Sequence, residues 1–262
     1  MAKNKKRKVD ETSHARQNDK QPQKAARSSH RSPSKQQADP IIPFEAEDRI
    51  LLVGEGDFSF AKSIVEHHGC CDITATCFDS RPELLEKYKP QAEEHIAFIE
   101  DEGQMVLYGV DATRLEATKT IKKPFDRILF NFPHVGGKSK DVNRQVRFNQ
   151  ELVVKFFTSA KEMLAKDGTV VVTLFEGEPY TLWCIKDLAR HAGLEVVRSF
   201  RFVSEAYPAY SHARTLGNID GGGGWKGEDR EARSYVFRVK GAAGGEVSKK
   251  RKKRDDGSDD DD

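Results

Sequence analysis

Short apolar runs alternate with stretches of helical periodicity from residue 49 to residue 240, and this alternation limits the fold more than any other feature of the chain. "RILLV" (49–53) runs into a glycine. Phe60, Ala61, Ile64 and Val65 then recur at helical spacing within residues 58–67. "DITATCF" (72–78) is β-branched and strand-like, and residues 82–102 read as helix broken near Pro90. "MVLYGV" (105–110) and "FDRILFNF" (125–132) are a third and a fourth strand. Residues 143–164 form a long helix with Val146, Val153, Phe156, Phe157, Ala160 and Leu164 on one side. "GTVVVTLF" (168–175) is a fifth strand, 181–191 a helix, and "LEVVRSFRF" (194–202) and "SYVFRVK" (234–240) the last two strands. Such alternation predicts an α/β fold, a mostly parallel sheet with helices on both faces. The final two strands are joined by a long loop with no crossover helix, so the last strand is expected to run antiparallel in a seven-stranded sheet.

Charge is distributed unevenly around this block. Up to Pro40 there are eleven Lys/Arg and four Asp/Glu, and from Gly241 onward six and seven. With a formal charge of +2 for the whole chain, the central part carries −4. Attraction to nucleic acid is therefore expected from the N-terminal tail and from local patches rather than from a general positive field. Residues 1–43 have few large apolar side chains and read as a disordered basic tail. Within them "KNKKRKV" (3–9) is a basic run of the nuclear-localisation type. Residues 241–262, with "KKRKKR" followed by "DDGSDDDD", read as a second disordered tail. No apolar run approaches the ~20 residues of a membrane span, and no secretory leader is expected. Cys70, Cys71, Cys77 and Cys184 lack metal-ligand spacing, so reduced thiols and no metal are expected.

The turn after the first strand, Gly54-Glu55-Gly56, has the first two glycines of a nucleotide-binding fingerprint, with Ser59 in place of the third. A lone Gly-x-Gly is a common turn, but this one follows a strand, opens a helix, and precedes Asp79 at the end of the next strand. That spacing suits an acceptor for a ribose hydroxyl pair. Asp111 follows the third strand, where an acid can accept the hydrogen of an exocyclic amine or simply cap a turn.

A second constellation follows the fourth strand, "FNFPHVGGKSKDVNRQVR" (130–147). Strand ends are where open α/β sheets bind ligands. Asn131, Phe132, Pro133 and His134 resemble the Asn-Pro-Pro-aromatic loop of methyltransferases acting on planar nitrogens. Asn131 offers both a donor and an acceptor, and a flat ring can stack on a base. "GGKS" is not a phosphate loop, because Phe132 stands where that loop needs glycine. Lys138, Lys140, Arg144 and Arg147 are placed for RNA phosphates. In "SEAYPAYSHARTLGNIDGGGGWKGEDREA" (204–232), Tyr207, Tyr210 and Trp225 can stack bases, and His212 and Arg214 can meet phosphate. The four glycines at 221–224 read as a flexible link.

Taken together, "LLVGEGDFSFA", "TATCFDS", "NFPHVGGKSKDVNRQVRFNQELVVKFF", "EGEPYTLW" and "YPAYSHARTLG" make the chain similar to the eukaryotic Rossmann-like family of large-subunit rRNA uridine-N3 methyltransferases. The resemblance implies the class I methyltransferase fold over residues 44–240, S-adenosylmethionine as cofactor, a uridine of large-subunit rRNA or of a pre-ribosomal particle as substrate, and a nuclear, nucleolar location. Asp57 stands where the family often has Asn, a change that preserves helix capping. Under this reading Gly54, Glu55, Gly56, Asp79 and Asp111 hold the cofactor. Asn131 and Pro133 position the base, and His134 is the first candidate to take the N3 proton, with Glu176 and Glu178 as alternatives. Two other readings stay open here: a methyltransferase for a different base nitrogen, and a non-catalytic RNA-binding factor of ribosome assembly.

Overall fold

The computed structural model describes residues 39–121, 124–218 and 227–242. The readings of both charged tails, of the glycine run and of Trp225 lie outside the described residues.

Seven strands form one sheet. The elements in chain order are β1 (Arg49–Val53), α1 (Ser59–His68), β2 (Asp72–Thr76), α2 (Arg81–Lys87), α3 (Gln91–Asp101), β3 (Met105–Leu107), β4 (Phe125–Asn131), α4 (Val142–Lys161), β5 (Leu164–Phe175), α5 (Ile185–His191), β6 (Leu194–Phe202) and β7 (Ala232–Val239). The spatial order is β3-β2-β1-β4-β5-β7-β6. Strands β1 to β5 pair in parallel, while β7 is antiparallel to both β5 and β6. The antiparallel last strand is thus inserted between two others rather than added at an edge. Tying it in, Thr173 and Ser234 face each other on β5 and β7, their buried hydroxyls 2.9 Å apart.

The central strands are covered on both faces, which is why "RILLV" is apolar without alternation. On one face α1, α2 and α3 pack through Phe60, Ile64, Leu84, Ile96 and Ile99. On the other, α4 and α5 pack through Val153, Phe156, Phe157, Ile185 and Ala189. Helix starts follow local chemistry. Ser80 and Glu83 form a reciprocal capping box at α2, and Asp141 accepts from the Arg144 N–H at 2.7 Å to open α4. α1 ends at Gly69, φ +67°, whose N–H returns to the Ile64 carbonyl.

The expected break near Pro90 separates α2 from α3. Several boundaries differ from expectation: β3 ends at Leu107 rather than at 110, and β7 starts at Ala232 rather than at 234. β5 begins at Leu164, because its first residues pair with Phe125 before a bulge resets the register. The helix expected at 181–191 is a single 3-10 turn (Tyr180–Trp183), then Cys184 at φ +53°, then α5. The left-handed residue swings the chain so that Trp183 enters the core, 1% exposed.

Candidate active site

The parallel strands all end on the same edge of the sheet, and the residues singled out above gather there. At the exit of β1, Gly54 has φ +70°, and a Cβ on it would lie 2.4 Å from Cε2 of Phe130 in β4. A Cβ on Gly56 would lie 2.6 Å from Cβ of Ala213. The turn therefore needs glycine at both positions for close approach. Its peptide is tied to the neighbouring strand by the Glu55 N–H, which donates to the Thr76 carbonyl at 2.9 Å. Asp57 Oδ1 accepts from the Ser59 N–H at 3.1 Å, a local turn just ahead of α1, whose N-cap position is taken by Phe58 at φ +62° rather than by Asp57 as expected.

Glu55 itself folds back onto α1, where Oε2 accepts from the Ala61 N–H at 3.2 Å. Burial pushes its carboxyl up to about 8, with the nearby Asp57 charge adding to the effect and the Ala61 N–H opposing it. The folded group thus keeps its proton where an unfolded glutamate has lost it. The associated stability is fully present below the ordinary value of 4.5 and is lost as pH rises toward 8. The residue is only half-buried, so solvent damps the effect. Wild type should lose on the order of 5 °C more in melting temperature between pH 5 and pH 8 than Glu55→Gln does. Parallel melting curves for the two proteins over that range would contradict the burial argument.

At the exit of β2, Asp79 Oδ1 accepts from Lys87 Nζ of α2 at 2.6 Å. Its second carboxylate oxygen has no protein hydrogen bond among the described residues. The adjoining loop from β3 is sewn to this exit, with the Gly109 N–H on the Asp79 carbonyl and the Val110 N–H on the Cys77 carbonyl. Asp111 is a cap here. Its Oδ1 accepts from both the N–H and the hydroxyl of Thr113, at 2.8 and 2.7 Å. One residue of this exit went unnoticed in the sequence. Phe78, directly before Asp79, is 72% exposed, an apolar ring standing at the rim of the cleft. It was hidden because it extends a strand-like apolar run.

The loop after β4 is held in a defined shape. Phe132 has φ +51°, and its N–H donates to the Thr173 carbonyl at 2.8 Å. Pro133 is buried. The Val135 N–H donates to Asn149 Oδ1 at 3.0 Å, and Gln145 Nε2 donates to the Gly136 carbonyl at 2.6 Å. Gln145 and Asn149, one turn apart on α4, thus clamp the loop from beneath. Sequence reading missed both, although a polar pair at that spacing on an otherwise apolar helix face was a visible signal. Asn131 is half-buried, and its side-chain amide makes no hydrogen bond among the described residues.

His134 is held by its own loop. Its Nδ1 accepts from the Gly136 N–H at 2.9 Å, so the neutral ring carries its proton on Nε2. Burial lowers its pKa, which favours that neutral form. In this arrangement Nδ1 of His134 is engaged by the loop, and Nε2–H is left to donate. Of the alternative bases, Glu176 is engaged by Arg233.

Residues 204–218 run as a strap along the same edge. Tyr207 is 4% exposed, stacked on Phe202 at 5.3 Å and packed on Phe44, Phe60 and His68. It belongs to the core and cannot stack RNA bases, contrary to expectation. Tyr210 is half-buried against Phe60 and Phe202. His212 is half-buried among rings, with centroids 4.5 Å from Phe132 and 5.1 Å from Phe175. Arg214 is exposed, and its carbonyl accepts from the Tyr88 hydroxyl at 2.8 Å. Lys138, Lys140, Arg144 and Arg147 are exposed beside Val142, itself 60% exposed, and form no ion pair among the described residues. Four unpaired cations around an exposed apolar side chain suit a polyanion.

The residues at the exits of β1 and β2 fit S-adenosylmethionine on three observations. One is a glycine turn whose Cβ positions are already filled by Phe130 and Ala213. Asp79, at the exit of β2, keeps one carboxylate oxygen without a protein hydrogen bond among the described residues. Asp79 and Asp111, at the exits of β2 and β3, add negative charge suited to a cationic cofactor.

Seven strands in this order, with the glycine turn after β1, the acid after β2 and the Asn-x-Pro loop after β4, define a Rossmann-like methyltransferase. Residues 51–214 match the family described as rRNA (uridine-N3-)-methyltransferase BTM5-like. The chain belongs to this BMT5-like family. It is 32% identical over 251 residues to the 25S rRNA (uridine(2634)-N(3))-methyltransferase of Saccharomyces cerevisiae, covering 75% of this chain and 74% of that one. An uncharacterized Arabidopsis thaliana protein, At4g26485, is 33% identical over 75% of this chain and 95% of its own length. The heavy metal-associated isoprenylated plant protein 41 of the same plant is 35% identical over 65% of this chain, which spans only 34% of that relative.

Proposed function

We propose that this chain is an S-adenosylmethionine-dependent methyltransferase that methylates N3 of a uridine in large-subunit ribosomal RNA. The observation that carries the reading is the loop after β4. It presents Asn131, an unpartnered amide, at the sheet edge beside a cleft suited to the cofactor. When bound, S-adenosylmethionine supplies a methyl group already activated on a sulfonium. Gly54 and Gly56 would hold its methionine part, Asp79 its ribose hydroxyls, and Phe78 its adenine by stacking. Asp111, committed to Thr113, would shape that wall rather than read the base.

Asn131 would align the uracil edge by pairing with its carbonyl and imide groups, and the buried Pro133 keeps the amide in place. As the imide loses its proton, negative charge spreads onto the uracil oxygens. The Nε2–H of His134 would donate to one of them. Lys138, Lys140, Arg144 and Arg147 would hold the flanking phosphates, with Arg214 on the strap. Substrate presentation on a pre-ribosomal particle and residence in the nucleolus belong to the same proposal.

The deciding experiment is incubation of purified protein with unmodified large-subunit rRNA and S-adenosylmethionine, followed by mass spectrometry of nucleosides. 3-Methyluridine is the expected product. A different methylated nucleoside would move the activity to another base nitrogen, and none at all would leave an RNA-binding factor. A second measurement addresses the cofactor. Asp79→Ala removes a charged acceptor worth ~1.5–3 kcal/mol, so calorimetry should show S-adenosylmethionine binding weakened at least about tenfold. Lys87 is 35% exposed in its side chain and tolerates losing its partner. Equal affinity in the two proteins would remove Asp79 from the cofactor site.

A further inference from the structure

The aromatic rings beside Asn131 end at a cation, Arg230. This residue lies just past the last rung of the β5–β7 ladder, where Phe175 pairs with Ala232 and the Glu176 N–H donates to the Glu231 carbonyl at 2.8 Å. Its own N–H donates to the Gly227 carbonyl at 3.1 Å, and Gly227 is buried against the His212 ring, which a Cβ there would meet at 2.5 Å. The main chain is thus fixed on both sides of Arg230. From it the guanidinium reaches over the Phe175 ring at 4.1 Å and stands 5.5 Å from the Tyr180 ring. Phe175 in turn packs on Phe132, the residue after Asn131, with centroids 4.5 Å apart. Two rings in series join the cation to the loop that aligns the uracil.

We infer that Arg230 anchors the phosphodiester of the target nucleotide and so makes a polynucleotide, rather than a free nucleoside, the substrate. The inference rests on the uridine-N3 reading above. Arg230 and Arg233 are three residues apart, yet only Arg233 has an acidic partner, Glu176. Arg230 forms no ion pair and no side-chain hydrogen bond among the described residues. Contact with a ring uses the face of a guanidinium and consumes none of its N–H donors. Those donors keep the fork geometry that matches two phosphate oxygens, and the stack holds the fork in place. The recess beside it, of about 210 Å³, is also lined by Arg201, Ser204, Glu205, Asp229 and Glu231. The carboxylates of Glu205, Asp229 and Glu231 outnumber the two arginines, so this corner has no long-range field to draw RNA in. An anion is held here by directed donors at contact, which places one phosphate. Attraction of the strand is left to Lys138, Lys140, Arg144 and Arg147. With Asn131 on the base and Arg230 on the phosphate, the nucleotide is fixed at two points. A free nucleoside has only the first.

The test is binding of an unmodified large-subunit rRNA fragment over a series of salt concentrations, with wild type, Arg230→Gln and Arg230→Lys, alongside single-turnover methylation and calorimetry with S-adenosylmethionine. Arg230→Gln should bind the RNA about 10–100-fold more weakly. Its slope of log affinity against log salt should be shallower by about 0.7, the share of one phosphate on a single strand. Cofactor affinity and the rate at saturating RNA should stay within about threefold of wild type, because the lost contact is one of uniform binding. Arg230→Lys keeps the charge without the fork, so it should retain the salt slope and still bind more weakly than wild type. It also keeps an aliphatic stem over Phe175, so it decides the matter if melting curves show Arg230→Gln unfolded. Unchanged affinity in Arg230→Gln, weaker binding with an unchanged salt slope, or Arg230→Lys equal to wild type would each overturn the anchor. Methylation of free uridine by wild type as fast as of rRNA would overturn the claim on substrate class. All of these leave the uridine-N3 reading intact. A wild type that binds the RNA through Arg230 yet forms no 3-methyluridine overturns that reading, and with it the placing of this phosphate at the target nucleotide.

Discussion

Asn131→Ala is expected to lower turnover by ~10²–10³-fold while leaving S-adenosylmethionine affinity within about twofold of wild type. The side-chain amide makes no hydrogen bond among the described residues, so truncating it leaves no protein group unsatisfied. β4 keeps its main-chain register with β5, because the pairing of Asn131 with Thr173 is a backbone matter. Under the proposed function, what is lost is one oriented partner for the uracil edge, a contact that acts on the base as charge develops. A drop in kcat with unchanged cofactor binding and an unchanged melting temperature is the expected pattern. Full turnover in Asn131→Ala would take this loop out of the chemistry.

Gly54→Ala should be among the most damaging single-methyl additions in the chain. Two costs combine. An L-residue at φ +70° loses about 1–2 kcal/mol. The added Cβ would also stand 2.4 Å from Phe130. That ring cannot easily retreat, since it is 6% exposed and packed edge-on against Phe156 at 5.0 Å. The sum, on the order of 2–4 kcal/mol, corresponds to a fall of about 5–15 °C in melting temperature. It should come with loss of measurable cofactor binding, because the turn is the floor of the cleft. Gly69→Ala is the control. It has φ +67° but nothing within 4 Å of its Cβ, so it carries the conformational cost alone. If the two variants melt together, the close approach of Phe130 plays no part.

Both residues were found in the sequence for reasons that are local. A glycine turn between a strand and a helix, an acid at the next strand end, and Asn-x-Pro after the fourth strand are each written within a few consecutive residues. The strand order near the glycine turn follows from them, because parallel strands joined by helices leave few topologies. The Ser80–Glu83 capping box is local in the same way, since its two partners lie three residues apart.

Other features depend on groups far apart in the chain. Ser59 and Ser211 are 152 positions apart, and nothing near either announces the other. Their pairing is what lays the strap over the glycine turn and sets His212 against Phe132. Burial changes roles in the same way. Tyr207 looks like its neighbour Tyr210 in sequence, yet packing against Phe44, Phe60 and Phe202 makes it core. His134 looks like a base until the Gly136 N–H occupies its Nδ1. The sequence by itself determined the layered α/β architecture, the glycine turn, Asp79 and the loop at Asn131, because periodicity and turn chemistry act over short spans. Only the tertiary structure decided which groups His134 and His212 face, which tyrosine is core and where the antiparallel strand enters the sheet. Those outcomes depend on desolvation and on partners that meet only when the sheet closes.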